Sequence, residues 1–175
     1  VSENYQRLVS KTLHGIYDES NNSKSVKDFR NEIVGKIKAS LSNVFEDLSL
    51  ASIGNPTENG AFFFTKGASK DFHYKNLSAG EKCVFDIILD IIVKKEYYSD
   101  SILCIDEPEA HIHTSLQGLL LREIYNITSD SSQLWISTHS IGMLKEAEDI
   151  EKEFPNSVAF LDFSGRDFDL EENIS

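Results

Sequence analysis

The sequence has few cysteines, few positive charges and no long apolar run. Cys83 and Cys104, the only two cysteines, each lie inside an apolar segment, which indicates reduced thiols and a cytoplasmic setting rather than a disulfide scaffold. Seventeen Lys and Arg residues against twenty-nine Asp and Glu residues give a formal net charge of −12, so the average surface repels nucleic acid. The longest apolar stretch, Val84 to Val93, contains two aspartates and is shorter than the roughly 20 residues that span a bilayer. With no signal-peptide pattern at its start, the chain is expected to be cytoplasmic and without a membrane partner.

The composition suits one globular core, because 40% of the 175 residues are hydrophobic and 10% are aromatic. Apolar residues recur at steps of three and four from Val26 to Leu48, which predicts one long amphipathic helix. The segment "SIGNPTENG" (residues 52–60) is rich in turn-forming residues and follows that helix. It predicts a division into a helical region, residues 1–60, and a second part, residues 61–175.

The second part alternates predicted strands with predicted helices. A short strand at "AFFFTKG" leads into "NLSAGEK", where Ser78 and Glu81 form a capping-box pattern at the start of a helix. The apolar strands "SILCI" and "QLWIS", with a helix over residues 114–127 between them, predict a right-handed βαβ unit with parallel strands. Trp135, within "QLWIS", is expected in the core. A short helix at residues 141–147 and a last strand, "SVAFLDF", complete an α/β fold with a parallel sheet flanked by helices.

Polar side chains follow both strands of the predicted βαβ unit. Asp106 and Glu107 come directly after "SILCI", while Thr138 and His139 follow "QLWIS". Because the carboxyl ends of parallel strands meet in one crevice, these side chains are expected to face each other. There, Asp106 could bind Mg²⁺, Glu107 could polarise a water, and His139 could stabilise a transferring phosphoryl group.

The turn "NLSAGEK" suits the same kind of substrate. Gly80 allows the backbone to approach an anion, Ser78 offers a hydroxyl, and the helix that starts there presents free N–H groups. The alternative is that Ser78 only caps its own helix.

The order and spacing of "NLSAGEK", "ILCIDEPEAHIH" and "STHS" resemble those of the ABC-type ATPase family. The similar branch contains the SMC, RecF-like and related DNA-repair ATPases, and the overcoming-lysogenization-defect and other phage-defence AAA ATPases. In that family these segments are the signature motif, Walker B with the D-loop region, and the switch histidine. The resemblance covers about residues 77–140.

The resemblance implies a role for each matching residue. Asp106 matches the Walker B aspartate that binds Mg²⁺, Glu107 the general base, and His139 the switch histidine. The signature residues, which contact the γ-phosphate of ATP held by the opposite subunit, match Ser78, Gly80 and Glu81. The implied cofactors are ATP and Mg²⁺, and the implied assembly is a head-to-tail homodimer. The implied activity is ATP hydrolysis in DNA repair or anti-phage defence, with nucleic acid or an effector nuclease as a partner of the complete protein.

The sequence departs from the family in lacking a P-loop, the Walker A motif. Its only Gly-Lys pair, Gly35-Lys36, is followed by Ile37, and Arg30 stands where the first glycine of the motif belongs. The chain is therefore expected to be the C-terminal part of an ATPase and to be inactive alone. The alternative is a split or degenerate protein that does not bind ATP by itself.

Two other classes of function use the same residues. A metal-dependent hydrolase or nuclease would draw its ligands from the cluster Asp106, Glu107, Glu109, His111 and His113. A non-catalytic dimerisation module would keep the ATPase scaffold without turnover.

Overall fold

The structure is a computed structural model that describes residues 3–19, 25–55, 58, 60–95 and 100–161. Its helices and strands follow in chain order as α1 (Glu3–Tyr17), α2 (Val26–Val44), β1 (Leu48–Ile53), β2 (Phe62–Lys66), β3 (Ser69–His73), α3 (Ala79–Lys94), β4 (Ile102–Asp106), α4 (Thr114–Ile127), β5 (Gln133–Ser137) and α5 (Ile141–Glu153). In this part of the chain no helix is long and apolar enough to cross a bilayer.

The predicted long helix is α2, and it ends earlier than its apolar pattern suggested. Ser25 caps its start by accepting a hydrogen bond from the Asp28 amide at 3.1 Å. The stripe from Ile33 to Val44 is buried, as the periodicity predicted. Leu48 was predicted as the last residue of this stripe, but it begins β1, because the helix stops at Val44 and the chain becomes extended at Phe45.

Strands β1, β2 and β3 form an antiparallel sheet in that order. The predicted boundary near residue 60 falls in the loop that joins β1 to β2. Ile53, the last residue of β1, pairs with Phe62, the first residue of β2. This sheet packs on α3 through aromatic contacts, since the Phe64 and Phe85 rings lie 5.0 Å apart and edge-on. Strand β2 was predicted, whereas β1 and β3 were not.

Strands β4 and β5 are parallel neighbours, as predicted, with Cα partners running from Ile102 and Gln133 to Asp106 and Ser137. One face of this pair packs on the core through Ile105, Leu134 and Ile136. On the other face Trp135 is 51% exposed, so the expectation that it is a core residue was wrong. Successive residues point to opposite faces of a strand, and the described helices cover only one face of this pair.

The structure changes two predictions at the end of the chain. Helix α5 extends to Glu153, beyond the predicted residue 147. In the predicted strand "SVAFLDF", residues 157–161 have no regular structure, and its last two residues lie outside the described part. The Glu151 carboxylate accepts hydrogen bonds from the backbone amides of Asn156 and Val158, both at 2.7 Å, which ties this segment to α5 rather than to a neighbouring strand.

Candidate functional site

The carboxyl ends of β4 and β5 are joined by hydrogen bonds at the level of the candidate metal ligand. The Ser137 hydroxyl donates to a carboxylate oxygen of Asp106, and the Glu107 amide donates to the Ser137 carbonyl at 3.0 Å. These bonds follow from the register that places Asp106 opposite Ser137. The two strand ends are thereby fixed relative to each other.

Asp106 suits a magnesium ion, on the chemistry of its donors. Its exposed carboxylate and the neighbouring Ser137 hydroxyl are both oxygen ligands. Mg²⁺ is commonly held by one or two carboxylates together with waters and substrate phosphates. These two residues therefore fit the ion that the sequence predicted, with phosphates supplying further ligands.

Glu107 has a left-handed backbone, with φ of 44°. This conformation is uncommon for a residue with a side chain, and such strained positions cluster at functional sites. A turn holds it in place, because the Ala110 amide donates to the Glu107 carbonyl at 3.0 Å and Pro108 is buried. The Glu107 side chain is 57% exposed, which makes it accessible to a water or a ligand.

His139 lies across from Glu107, as the parallel strands predicted. Its Nε2 atom is 3.8 Å from a Glu107 carboxylate oxygen, which is longer than a hydrogen bond. The imidazole side chain is 91% exposed. The ring and the carboxylate thus stand at one edge of the sheet with room for a small group beside them.

Glu109 connects the two loops of the site, a role that sequence reasoning left open. One oxygen accepts hydrogen bonds from the Thr138 hydroxyl at 2.6 Å and from the His139 amide at 2.8 Å. Burial acts to raise the pKa of Glu109, but hydrogen bonds from Thr138 and from backbone amides outweigh burial and hold the pKa below its usual range. The carboxylate is therefore charged at neutral pH.

At the start of α3, the predicted signature residues Ser78 and Glu81 contact each other. The Glu81 amide donates to the Ser78 hydroxyl at 3.3 Å, and the Ser78 amide donates to the Glu81 carboxylate at 2.8 Å, which is a capping box. The other Glu81 oxygen forms an ion pair with Lys66 at 2.7 Å. Local capping, together with the ion pair to Lys66, thus accounts for the observed contacts of both side chains.

Gly80 allows α3 to approach the loop that follows β4. A Cβ atom at Gly80 would lie 2.4 Å from the His111 carbonyl oxygen, which is too close for any side chain. The Cys83 thiol, in the same helix, lies 3.8 Å from the Pro108 carbonyl oxygen. In the described structure, the close approach that this glycine permits is to the chain's own backbone.

The histidines after β4 make local contacts or are exposed. His113 precedes α4 and accepts a hydrogen bond from the Ser115 amide, while His111 is exposed with φ of 65°. Among the residues that the structure describes, no three His, Cys, Asp or Glu side chains are grouped to hold a metal ion. The metallohydrolase alternative therefore finds no ligand cluster in this segment.

Comparison with solved structures identifies the fold. A structure reported under "ATP-driven dimerization and DNA stimulated activation of SMC ATPases" matches with a TM-score of 0.54 and 16% identity, over 65% of this chain and 71% of the other. An Smc head bound to the C-terminal winged-helix domain of ScpA matches with a TM-score of 0.53 and 18% identity, over 69% and 39%. An Smc head with an extended coiled coil, bound to the C-terminal domain of ScpA and derived from Pyrococcus furiosus, gives 0.53 and 14%, over 73% and 39%. The chain thus has the P-loop NTPase fold of SMC ATPase heads and spans about two fifths of the length of the two Smc head structures.

No curated protein matches the sequence. One family model does, over residues 8–145, which is most of the chain and includes α2, α3, both parallel strands and His139. Its description is "AAA domain, putative AbiEii toxin, Type IV TA system". The chain belongs to this family of AAA domains.

Proposed function

We propose that this chain supplies the hydrolytic edge of an ATPase that acts as a head-to-tail dimer. In this proposal Asp106 binds Mg²⁺, Glu107 is the general base, and His139 contacts the γ-phosphate. The observation that carries the proposal is the parallel pairing of β4 and β5, with Glu107 and His139 3.8 Å apart at their carboxyl ends. The membership of an AAA family and the fold of SMC heads support it.

The chemistry follows from the positions of these groups. Glu107 accepts a proton from a water as that water attacks the γ-phosphorus, and the bond to the bridging oxygen breaks to release ADP. His139 donates a hydrogen bond to the γ-phosphate and senses its presence. When bound at Asp106, Mg²⁺ offsets negative charge on the phosphate oxygens.

The start of α3 is assigned to the partner's nucleotide. Ser78, Gly80 and Glu81 would contact the γ-phosphate held by the opposite subunit, as the matching signature does in the ATPases that the sequence resembles. The capping bonds between Ser78 and Glu81 engage the Glu81 amide, while the first amides of α3 remain at the helix N-terminus as donors for an anion. The structure reported for SMC ATPases with "ATP-driven dimerization" supports an ATP-dependent dimer as the assembly to test.

An ATPase of this kind needs a P-loop to hold the phosphates of ATP. No segment of this sequence has the spacing of that motif. We propose that it comes from a part of the protein beyond this sequence or from a separate chain. Both Smc head structures are longer than the region that this chain matches, which supports the first source.

We further propose a role in anti-phage defence, with DNA repair as the second candidate. The support is the description of the family, which names a putative toxin of a type IV toxin–antitoxin system. The net charge of −12 argues that any contact with nucleic acid is made through a local surface or another part of the complete protein.

The first prediction tests the proposed base in the ATPase with its P-loop segment present. Glu107→Gln should reduce kcat for ATP hydrolysis about a hundred-fold or more, because general-base catalysis is lost. ATP binding should persist, since Asp106 is unchanged, and the nucleotide-bound dimer should accumulate. Phosphate release, nucleotide binding and light scattering measure the three quantities.

The matched control is Glu46→Gln, which neutralises an exposed glutamate in the turn before β1. It should hydrolyse ATP at the wild-type rate. Hydrolysis by Glu107→Gln at the wild-type rate would refute the assignment of the base.

A further inference from the structure

The backbone that carries His139 is held by a side chain from the other loop of the site. Residues 138–140 follow β5, and Glu109 accepts hydrogen bonds from the Thr138 hydroxyl and the His139 amide. The Thr138 oxygen accepts in turn from the Ser140 amide at 3.0 Å. One carboxylate therefore organises the loop between the end of β5 and the start of α5.

A second set of hydrogen bonds fixes the far end of the same loop. The Ser140 hydroxyl donates to the Gln117 side-chain oxygen at 2.6 Å and accepts from the Met143 amide at 3.0 Å. The Gln117 nitrogen donates to the Ile112 carbonyl at 3.2 Å. Because Glu109 and Ile112 both belong to the loop after β4, the two loops are tied together at both ends.

The ring of His139 needs such support, because it is 91% exposed and its position depends on its backbone. Glu107, its neighbour at 3.8 Å, is placed by the turn that also contains Glu109. The same short segment thus sets the position of the carboxylate and, through Glu109, the position of the imidazole. A displacement of about 1 Å between reacting groups costs about a hundred-fold in rate in well-studied enzymes.

Glu109 also has an unsatisfied oxygen. Its Oε2 atom is buried and lacks a hydrogen-bond partner among the described residues. Glu109 and His139 line the same groove, together with Thr114 and Ile141.

From these contacts we propose that Glu109 is a positioning residue for ATP hydrolysis, acting through His139; the inference rests on the proposed function. Its carboxylate holds the His139 backbone so that the imidazole stands beside Glu107 when the γ-phosphate is present. Glu109 itself contacts neither the water nor the nucleotide.

The first experiment needs no nucleotide and uses this chain alone. Glu109→Ala should speed hydrogen exchange at the His139 and Ser140 amides about tenfold or more, as measured by NMR. The His139 amide loses its acceptor, Glu109, and the Ser140 amide donates to a Thr138 hydroxyl that Glu109 no longer holds. Glu109→Gln keeps a carbonyl acceptor and should restore most of the protection. Glu46→Ala, the exposed control, should change neither amide. Unchanged exchange in Glu109→Ala would overturn the proposed hold.

The second experiment measures ATP hydrolysis with the P-loop segment present. Glu109→Ala should lower kcat about tenfold with KM for ATP within about twofold, and Glu109→Gln should recover most of the activity. In a His139→Ala background, Glu109→Ala should cause no further loss, because the two residues act as one unit.

The outcomes separate this inference from the function on which it rests. If the wild type hydrolyses ATP and Glu107→Gln does not, while Glu109→Ala keeps the wild-type kcat, the positioning role is wrong and the ATPase assignment stands. Additive losses in the double variant would also overturn action through His139. If the wild type does not hydrolyse ATP, the proposed function is wrong, and so is the role of Glu109 in hydrolysis. Hydrogen exchange still decides whether Glu109 holds the loop that carries His139.

Discussion

At the scale of single residues, the geometry of the site depends on two kinds of restricted position. One kind has a left-handed backbone that few residue types adopt, and the other has no room for a Cβ atom. Glu107 and His111 have positive φ, and Gly80 lies against the backbone of His111 and Ile112. Sequence reasoning identified Asp106, Glu107 and His139 as neighbours because their chemistry follows directly from the strand ends. It could not assign Glu109, because a hydrogen bond to a backbone amide leaves no pattern in the sequence.

Gly80 provides a prediction about packing. Gly80→Ala should destabilise the chain by about 1–3 kcal/mol, because the new Cβ would lie 2.4 Å from the His111 carbonyl oxygen and the backbone would have to shift. Urea unfolding followed by circular dichroism measures the change.

Gly35→Ala is the matched control, since Gly35 lies inside α2 and a Cβ atom added there would meet nothing within 4 Å. There the substitution should stabilise the chain by about 0.5–1 kcal/mol through helix propensity. Equal effects at the two glycines would show that α3 does not approach the loop as closely as described.

At the scale of elements, strong local patterns predicted α3, α4 and the parallel strands well, whereas α1 was not predicted as a separate helix. Strands β4 and β5 are short apolar runs bounded by polar residues, and a helix of the right length joins them. Strand β3 was missed because "SKDFH" is mostly polar and exposed, and its pairing comes from the hairpin with β2. Strand β1 was missed because Leu48 continued the apolar spacing of α2 beyond the end of the helix.

The capping box of α3 provides a prediction about pH. Burial acts to raise the pKa of Glu81, but the contacts with Lys66 and Ser78 outweigh it and hold the pKa below its ordinary value of 4.5. A lowered pKa in the folded state means that the charged carboxylate favours folding above the ordinary value, and that this stability is lost as the pH falls through the folded-state pKa.

Glu81→Gln should therefore lower the free energy of unfolding by about 1 kcal/mol at pH 7, where the helix N-terminus and Lys66 favour the charge. The difference from the wild type should shrink as the pH falls below about 4. Urea titrations at pH 7 and at lower pH measure it, with Glu46→Gln as the exposed control. A difference that stays constant across this range would contradict the pKa assignment.

At the scale of the whole molecule, the described elements have the fold of SMC ATPase heads. The core runs from α1 and α2 through the antiparallel sheet to α3 and α4, while β4 and β5 lie beyond it with one face open. The sequence lacks a P-loop, and in the described part of the chain one face of the parallel pair is exposed. An open face could not be predicted from "SILCI", because its residues are apolar on both sides. In "QLWIS" the polar Gln133 and Ser137 share a face with Trp135, whose large apolar ring favoured the core.

The chain alone is predicted to release no phosphate from ATP with Mg²⁺ above a background measured with Glu107→Gln, because nothing in the sequence provides a P-loop cradle. Adding the P-loop segment should produce turnover. Robust hydrolysis by residues 1–175 that Glu107→Gln abolishes would show that the chain binds nucleotide by itself.

The open face also places the only tryptophan where its fluorescence reports on whether that face is covered. Trp135 is the only tryptophan in the sequence, and Cys104 is its direct partner on the neighbouring strand. An indole that is half in water emits at longer wavelengths than a buried one, and an exposed thiol is open to alkylation. Whatever covers this face should shift the emission to shorter wavelengths and protect Cys104, so assembly can be followed by intrinsic fluorescence without any added label.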